Sequence, residues 1–262
     1  MISSGKDLYL KRVGIWNVWG RNFLVFRKSW IVNLFWMVVE PTFVLFSIGY
    51  GVGAFISSIQ GVAYVDFFFP ALLCLTAMMV AFFETAYGSY SKLNFQKIYQ
   101  AMILSPLEPK EIIFGEILWG GSKGFLSALG VTLVATVFGH TDNLLIIPAL
   151  LVVFICAILF SSLGLLVVSF IKSHDQISVP TSGFIVPMSF ICGTYFPLEQ
   201  MPVALKYLVY LLPLTHAVGA VRGILLGGMP WWQIGLHILV LLLLTLLVVR
   251  AVQGRISKKL IH

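Results

Sequence analysis

The sequence predicts an all-α membrane protein with six transmembrane helices, and three observations lead to this prediction. Six apolar stretches each approach the roughly 20 residues that a helix needs to cross a hydrocarbon core of about 30 Å. Hydrophobic residues make up 59% of the 262 residues and charged residues only 10%, more apolar surface than a water-soluble fold can bury. Helices also satisfy their backbone hydrogen bonds internally, as lipid requires. The predicted spans are residues 31–54, 67–88, 113–138, 144–171, 176–195 and 231–249.

The basic residues between the spans predict the orientation. Of the 17 Lys and Arg residues, 15 lie in the N-terminal segment, near the loops after the second and fourth spans, or after the sixth. Only Lys206 and Arg222 fall on the other side. Because cytoplasmic loops are enriched in Lys and Arg, we expect both termini in the cytoplasm. The net charge of +7 then reflects topology and contact with membrane lipid, and we expect no nucleic-acid partner.

The N-terminal segment, residues 1–30, is predicted to be an amphipathic helix lying flat in the cytoplasmic interface, and residues 31–262 are predicted to form the transmembrane domain. Aromatic residues recur every three or four positions, and most basic residues avoid that stripe, as in interfacial helices. A simple anchor and a signalling role both remain open. The stripe consists of Trp16, Trp19, Phe23, Phe26 and Trp30.

The first span contains Glu40-Pro41 near its middle. Proline removes a backbone hydrogen bond and is expected to bend the helix. A carboxylate at this depth must be protonated, paired or in contact with a wet interior. Glu40 therefore has two open interpretations, a structural hydrogen bond between helices or a place in a transport pathway.

The cytoplasmic segment 97–112 is more structured than a connector requires. A short amphipathic helix is predicted over 97–104, stopped by Ser105-Pro106, and a new helix begins after Pro109 with glutamates on both sides of that proline. Spacing alone leaves two interpretations open, a docking element for a soluble partner or a plain loop.

Three charged residues, Glu84, Glu116 and Lys123, are predicted near the cytoplasmic membrane boundary. Lys123 lies seven residues after Glu116, about two turns along the helix and so on the same face. Opposite charges at this depth are expected to pair with each other or with a neighbouring span. The pairs are interpreted either as a static tie between the second and third spans or as a moving gate.

Between the last two spans, residues 196–229 are apolar but repeatedly interrupted by proline and glycine. We predict two short helices, 203–212 and 215–226, broken at Pro213. Such a segment is expected to form a re-entrant hairpin in the outer leaflet, protected by neighbouring protein.

The sequence lacks motifs that would supply the chain with its own energy source. It contains no Gly-x-x-x-x-Gly-Lys-Ser/Thr phosphate-binding loop and no His-Glu-x-x-His zinc motif. Its five histidines are scattered without the spacing of metal ligands. We therefore expect no catalytic residue, no metal and no cofactor in this chain, and we predict that it is not itself an enzyme.

The chain resembles the membrane subunits of ABC-2 type transporters, particularly the bacterial permeases of the nodulation-factor and polysaccharide or drug export groups. The resemblance runs from about residue 10 to the C-terminus. It rests on Met201-Pro202, Pro213-Leu214-Thr215-His216 and Arg222 at the hairpin, and on Phe83-Glu84, Leu104-Ser105-Pro106-Leu107 and Gly115-Glu116 around the cytoplasmic helix.

The resemblance implies a complex of two permease copies and two ATPase subunits in the bacterial inner membrane, with ATP and Mg bound by the ATPases. Segment 97–112 would be the coupling helix, the N-terminal helix an interfacial connecting helix, and hairpin 196–229 a cap on the outer mouth. The expected ATPase-coupling residues are Ile98, Tyr99, Gln100, Met102, Ile103, Leu104, Pro106 and Lys110.

The resemblance also implies that the first and fifth spans line the dimer interface and the pathway. The corresponding residues are Glu40, Pro41, Met188 and Phe190. An amphiphilic or lipid-linked cargo such as a glycolipid, lipo-oligosaccharide, polysaccharide or drug is expected. The alternative function is an ATP-independent channel or secondary carrier, and a membrane enzyme or scaffold is a further alternative.

Overall fold

The computed structural model describes residues 5–56, 58–59, 61–140 and 144–261, and its regular elements are all helices. The predicted all-α fold class is confirmed. In chain order the helices are α1 Gly5–Lys28, α2 Trp30–Val52, α3 Tyr64–Phe95, α4 Ile98–Ile103, α5 Pro109–Val137, α6 Ile146–Phe170, α7 (178–191), α8 Val203–Val209, α9 Pro213–Leu226 and α10 Trp231–Ile261.

Five of the described helices, α2, α3, α5, α6 and α10, are long and apolar enough to cross a membrane. Helices α8 and α9 meet the same criterion only as a pair, and they bend by 90° at the break between them. This bent pair occupies the segment for which a re-entrant hairpin is predicted.

Helix α7 is shorter than the predicted span 176–195. It ends at Ile191, and Gly193 adopts a left-handed conformation with φ of 76°. A glycine in this conformation just past the last turn is a common way for a helix to terminate. The fifth apolar stretch therefore enters a turn before it reaches the length of a full span.

Helix α2 accommodates its proline by widening its turns. Two π-helical stretches, Phe35–Val39 and Leu45–Val52, flank the α-helical turn Glu40–Val44. Pro41 has no backbone N–H, and its ring clashes with the carbonyl four residues earlier, so an ordinary α-helical ladder is interrupted here. The turn that contains Pro41 is thus flanked by altered helical winding on both sides.

The C-terminal end of α2 is connected to α3 and to the end of α5 by a chain of three polar side chains. Tyr50 Oη lies 2.5 Å from His140 Nε2, and His140 Nδ1 lies 2.8 Å from Asp66 Oδ1. Asp66 belongs to the first turn of α3, and His140 follows the end of α5. The C-terminal end of α2 is therefore connected, through the Tyr50 side chain, to α3 and to the end of α5.

The centre of the core is formed by α3, α5 and α6, which pack closely where small residues face one another. A Cβ at Gly124 would lie 2.6 Å from the Ala77 carbonyl oxygen, and a Cβ at Gly164 would lie 2.6 Å from the Phe82 carbonyl oxygen. In its most apolar stretch α3 is 83% buried, whereas α2 and α10 are each only 17% buried. The first and last spans are therefore peripheral within one copy of the chain.

Helix α1 packs along the start of α5 through a face of small residues. Gly14, Val18 and Asn22 are buried, and a Cβ at Gly115 would lie 2.5 Å from the Val18 Cβ. The aromatic stripe predicted as the apolar face is divided. Trp19 and Phe26 contact Trp119 edge-on, whereas Trp16, Phe23 and Trp30 are exposed.

Candidate coupling site

Helix α4 is a short segment held between the ends of α3 and α5. Lys97, with φ of 53°, turns the chain from α3 into α4. Gln100 Nε2 donates a hydrogen bond to the Leu93 carbonyl (3.2 Å), which ties α4 back to the preceding segment. The next helix begins at Pro109 with a capping box, in which the Glu108 N–H donates to Glu111 Oε2 (2.8 Å). Local sequence therefore fixes both ends of α4.

The structure divides the eight predicted coupling residues between two faces. Tyr99 is only 1% exposed, and Ile98, Met102 and Ile103 are partly buried against the core. These four cannot form the main contact surface for a soluble partner. The residues that remain exposed are Gln100, Leu104, Pro106 and Lys110.

One apolar residue just before the predicted segment is also exposed. Phe95 is 67% exposed and Leu104 is 91% exposed, on the two sides of α4. We call Phe95, Gln100, Leu104 and Pro106 the α4 surface. Phe95 lies outside the predicted segment 97–112, although an aromatic residue among polar neighbours is a usable signal in the sequence.

Behind the α4 surface, two ion pairs connect α3 to α5. Lys123 Nζ lies 2.8 Å from Glu84 Oε2, and Lys92 Nζ lies 2.7 Å from Glu116 Oε2. Trp119 Nε1 also donates to Glu84 Oε1 (2.7 Å). The predicted trio is thus divided, because Glu116 and Lys123 each pair with α3 instead of with each other.

Lys92 is a functional candidate that sequence reasoning missed. It lies eight residues after Glu84 on α3, and Lys123 lies seven residues after Glu116 on α5. Antiparallel helices with these spacings bring each acid opposite the other helix's base. The signal in the sequence was that both helices carry an acid followed, at a similar spacing, by a base.

Tyr99 brings α4 into contact with this charged cluster. Its hydroxyl faces the Ser89 hydroxyl and the Glu116 carboxylate. Within the described residues, Tyr99 Oη, Ser89 Oγ and Glu116 Oε1 are buried without a hydrogen bond of ordinary geometry. Burial raises the pKa of the Tyr99 hydroxyl well above its usual range, and the Glu116 charge raises this pKa further. Tyr99 therefore stays protonated and presents a donor to the cluster.

A serine in this region matches the spacing of a hydrolase nucleophile motif, Gly-x-Ser-x-Gly, over residues 120–124. That motif requires a sharp turn between a strand and a helix. Ser122 lies inside α5, and its hydroxyl accepts a hydrogen bond from Trp19 Nε1 (3.1 Å). The serine therefore has a structural role in joining α1 to α5.

The predicted hairpin residues anchor α8 and α9 to the bundle. Pro202 and Pro213 precede or begin the two helices. Arg222 donates hydrogen bonds to the carbonyl oxygens of Phe67 (3.1 Å) and Gly193 (2.9 Å), and its guanidinium lies 3.7 Å from the centroid of the Phe67 ring. These contacts connect α9 to α3 and to the end of α7.

His216 joins the hairpin to the last span. His216 Nδ1 lies 2.9 Å from His237 Nδ1, and His216 Nε2 lies 2.9 Å from the Tyr210 carbonyl oxygen. Since a carbonyl only accepts, Nε2 carries the proton in neutral His216, and its Nδ1 accepts a hydrogen bond from His237. All four predicted hairpin residues therefore shape or fasten this element.

The four predicted pathway residues do not share one surface. Glu40 and Phe190 are exposed, whereas Pro41 and Met188 are buried inside the protomer. Met188 therefore contacts neither cargo nor a second copy in this conformation, which corrects its predicted role. Phe190 stacks on Tyr195, with 5.6 Å between the ring centroids.

Comparisons with known proteins agree with this architecture. A family model described as ABC-2 type transporter matches residues 14–226. Nodulation protein J of Rhizobium leguminosarum bv. viciae is 33% identical over 224 residues, covering 86% of each chain. Nodulation protein J of Rhizobium meliloti (strain 1021) is 30% identical, covering 85% of this chain and 86% of that protein.

A relative outside the nodulation proteins matches over a similar length. The inner membrane transport permease YadH of Escherichia coli (strain K12) is 24% identical over 220 residues, which cover 84% of this chain and 86% of that protein. The family match spans most of the bundle, from the buried face of α1 to the end of α9. The chain belongs to the ABC-2 type transporter family and is a multi-pass membrane subunit of a transporter of that family.

Proposed function

We propose that this chain is the permease subunit of an ATP-driven exporter that moves an amphiphilic or lipid-linked substrate out of the cytoplasm across the bacterial inner membrane. The observation that carries this proposal is the α4 surface, an exposed apolar patch fixed to a buried charged cluster. Family membership supports a role in transport. The cargo classes are those that the family resemblance implies, namely a glycolipid, a lipo-oligosaccharide, a polysaccharide or a drug.

In this proposal two separate ATPase subunits bind ATP and Mg, and each receives one α4 surface. Leu104 and Phe95 supply apolar contact area, and Gln100 supplies a hydrogen-bonding group at the centre. Force on α4 passes through buried Tyr99 to Glu116, and from there through Lys92 to α3. Since α3, α5 and α6 share one closely packed core, they move together as one rigid unit.

A second copy of the chain completes the proposed pathway. Helix α2 exposes most of its surface, including Glu40 near the middle of an apolar span. An exposed carboxylate at this depth is costly against lipid, which favours a partner helix or a hydrated pathway on that face. The proposed homodimer places the α2 faces of the two copies next to each other, with cargo passing between them.

The α4 surface can be tested by substituting one residue. We expect Leu104→Asp to abolish co-purification with a co-expressed partner ATPase subunit, because the substitution places a charge in the apolar contact. Ile103 is a poorer choice since it packs against the core. Leu144→Asp is the matched control, because Leu144 is 82% exposed, close to the 91% of Leu104, and follows α5 at its other end.

The outcomes of this experiment separate the candidate functions. Loss of ATPase binding in Leu104→Asp but not in Leu144→Asp supports the proposal. Unchanged ATPase binding in both variants contradicts the assigned docking surface. Transport by the chain alone in sealed liposomes without nucleotide would establish the alternative, a channel or secondary carrier.

A further inference from the structure

A polar cavity of about 280 Å³ lies between α1, the start of α2 and the cytoplasmic-side ends of α3 and α5. We call it the α1 cavity. Among its lining residues, Arg21, Lys92 and Lys123 are basic and Glu84 alone is acidic. The cavity lining therefore has more basic than acidic side chains, although the cavity lies at the edge of an apolar span.

The α1 cavity contains more hydrogen-bond donors than acceptors. Each lysine ammonium has three donors, and the structure assigns one from Lys92 to Glu116 and one from Lys123 to Glu84. Arg21 Nη1 donates to Asn22 Oδ1 (3.0 Å), which leaves the other guanidinium donors. A ligand that accepts several hydrogen bonds and carries negative charge would satisfy this surplus.

Asn22 provides an independent indication of a missing acceptor. It is only 4% exposed, it lines the cavity, and its Nδ2 has no hydrogen-bond acceptor among the described residues. A buried donor without a partner costs free energy, and such groups are rare in folded proteins. Arg21 Nη1 donates to the amide oxygen of Asn22, so the amide nitrogen is the end of this cavity-lining side chain that lacks a partner.

The surroundings of the cavity favour an amphiphile over a free anion. Ser29 and Asn33 line the cavity where the first apolar span begins at Trp30. From this point α2 exposes Ile31, Leu34 and Phe35 outward. A charged head group in the cavity would therefore have its acyl chain alongside an apolar helix face.

We propose that the α1 cavity binds the phosphate head group of an anionic amphiphile from the adjacent leaflet. Arg21, the spare protons of Lys92 and Lys123, and Asn22 Nδ2 hold the phosphate oxygens, and the acyl chain lies along α2. The bound phosphate bridges α1 to α3 and α5 and neutralises the Arg21 charge, which remains after Lys92 pairs with Glu116 and Lys123 pairs with Glu84. This proposal is independent of ATPase docking, since binding is a property of the isolated subunit.

Native mass spectrometry of the purified chain in detergent tests the proposal, with dioleoylphosphatidylglycerol and dioleoylphosphatidylcholine as probes. We expect wild-type protein to retain phosphatidylglycerol preferentially, because choline adds a positive charge that the cavity repels. Arg21→Gln should weaken phosphatidylglycerol binding about tenfold, as expected for loss of a charged hydrogen-bonding group. Arg27→Gln is the control, since Arg27 is exposed on the same helix and does not line the cavity.

Two further variants control for misfolding, and a competition experiment with inorganic phosphate identifies the source of the bound phosphate. Arg21→Lys keeps the charge and should restore part of the preference, whereas Asn22→Asp should abolish it by adding a negative charge inside the cavity. Both variants are compared with wild type by size-exclusion chromatography. Equal binding of the two lipids, or equal losses in Arg21→Gln and Arg27→Gln, would overturn the proposal. Displacement of bound phosphatidylglycerol by millimolar inorganic phosphate would overturn the assignment to an amphiphile.

Discussion

Lys92 Nζ lies 2.7 Å from Glu116 Oε2, and this ion pair joins the helix that leads into α4 to the helix that leaves it. The Glu116 side chain is 1% exposed and that of Lys92 is 12% exposed, so water screens the pair poorly. In the proposed coupling mechanism, this link would transmit a displacement of α4 to α3 and α5 together.

Removing one partner of this pair is expected to be strongly destabilising. Lys92→Met keeps the length of the side chain but leaves Glu116 buried beside no counter-charge, which costs about 3–5 kcal/mol. Thermal unfolding in detergent, followed by tryptophan fluorescence, measures the loss. The double variant Lys92→Met/Glu116→Gln should recover most of it, and Lys97→Met, at an exposed position, should have no effect. Equal stability of Lys92→Met and wild type would contradict a buried, charged Glu116.

The Tyr99 hydroxyl predicts a change in stability at high pH. Its pKa is raised above 10.0 in the folded state by burial, so the unfolded chain ionises first as pH rises. The stability contributed by the neutral hydroxyl is complete below about pH 10 and is lost as pH rises toward the folded-state pKa. The difference in unfolding temperature between wild type and Tyr99→Phe should therefore shift in favour of Tyr99→Phe above pH 10. A difference that stays constant from pH 8 to pH 11 would contradict this assignment.

The packing of α1 on α5 predicts opposite effects for two glycine substitutions. Gly115→Ala places a methyl group 2.5 Å from Val18 Cβ and should destabilise the protein by about 1–3 kcal/mol through overpacking. Gly20→Ala, on α1 with no atom within 4 Å, should be neutral or stabilise by up to about 1 kcal/mol. Detergent unfolding curves compare the two. Combining Gly115→Ala with Val18→Gly removes the Cβ that the new methyl group meets and should relieve the clash. If the double variant is no more stable than Gly115→Ala, contact with Val18 is not the cause of the destabilisation.

Arg222 is expected not to tolerate a change to lysine. Its planar guanidinium reaches two carbonyl oxygens and lies over the Phe67 ring, a geometry that an ammonium cannot reproduce. We expect Arg222→Lys to destabilise the protein by about 1–3 kcal/mol. Limited proteolysis of membrane vesicles should then show faster cleavage in 196–229 than in the loop between α2 and α3. Uniform cleavage rates would indicate that Arg222 does not fasten the hairpin.

Features set by local sequence could be predicted before the structure was known. The start of α5 at Pro109, with glutamates on both sides, is confirmed because a capping box involves residues only three positions apart. The same holds for the break at Pro213, where the ring at the first turn of α9 prevents continuation from α8. The apolar lengths of α2, α3, α5, α6 and α10 likewise follow from composition.

Features that depend on rotation or on partners in other helices could not be predicted in this way. A helix that is apolar on all sides does not reveal which side faces its neighbours, so Met188 was placed on a pathway although it is buried. Likewise, Glu116 and Lys123 share a face, but only the register between α3 and α5 assigns them Lys92 and Glu84 as partners. Asn22 became a candidate ligand-binding residue only when the α1 cavity around it was visible.

The π-helical turns make α2 shorter than an α-helix with the same number of residues. A π-helical turn contains more residues than an α-helical turn, so rewinding Leu45–Val52 as α-helix would lengthen the helix and rotate its tip. Such rewinding exchanges one set of backbone hydrogen bonds for another and exposes no polar backbone to lipid. Tyr50 would then swing away from His140 and release the C-terminal end of the span from α3 and α5.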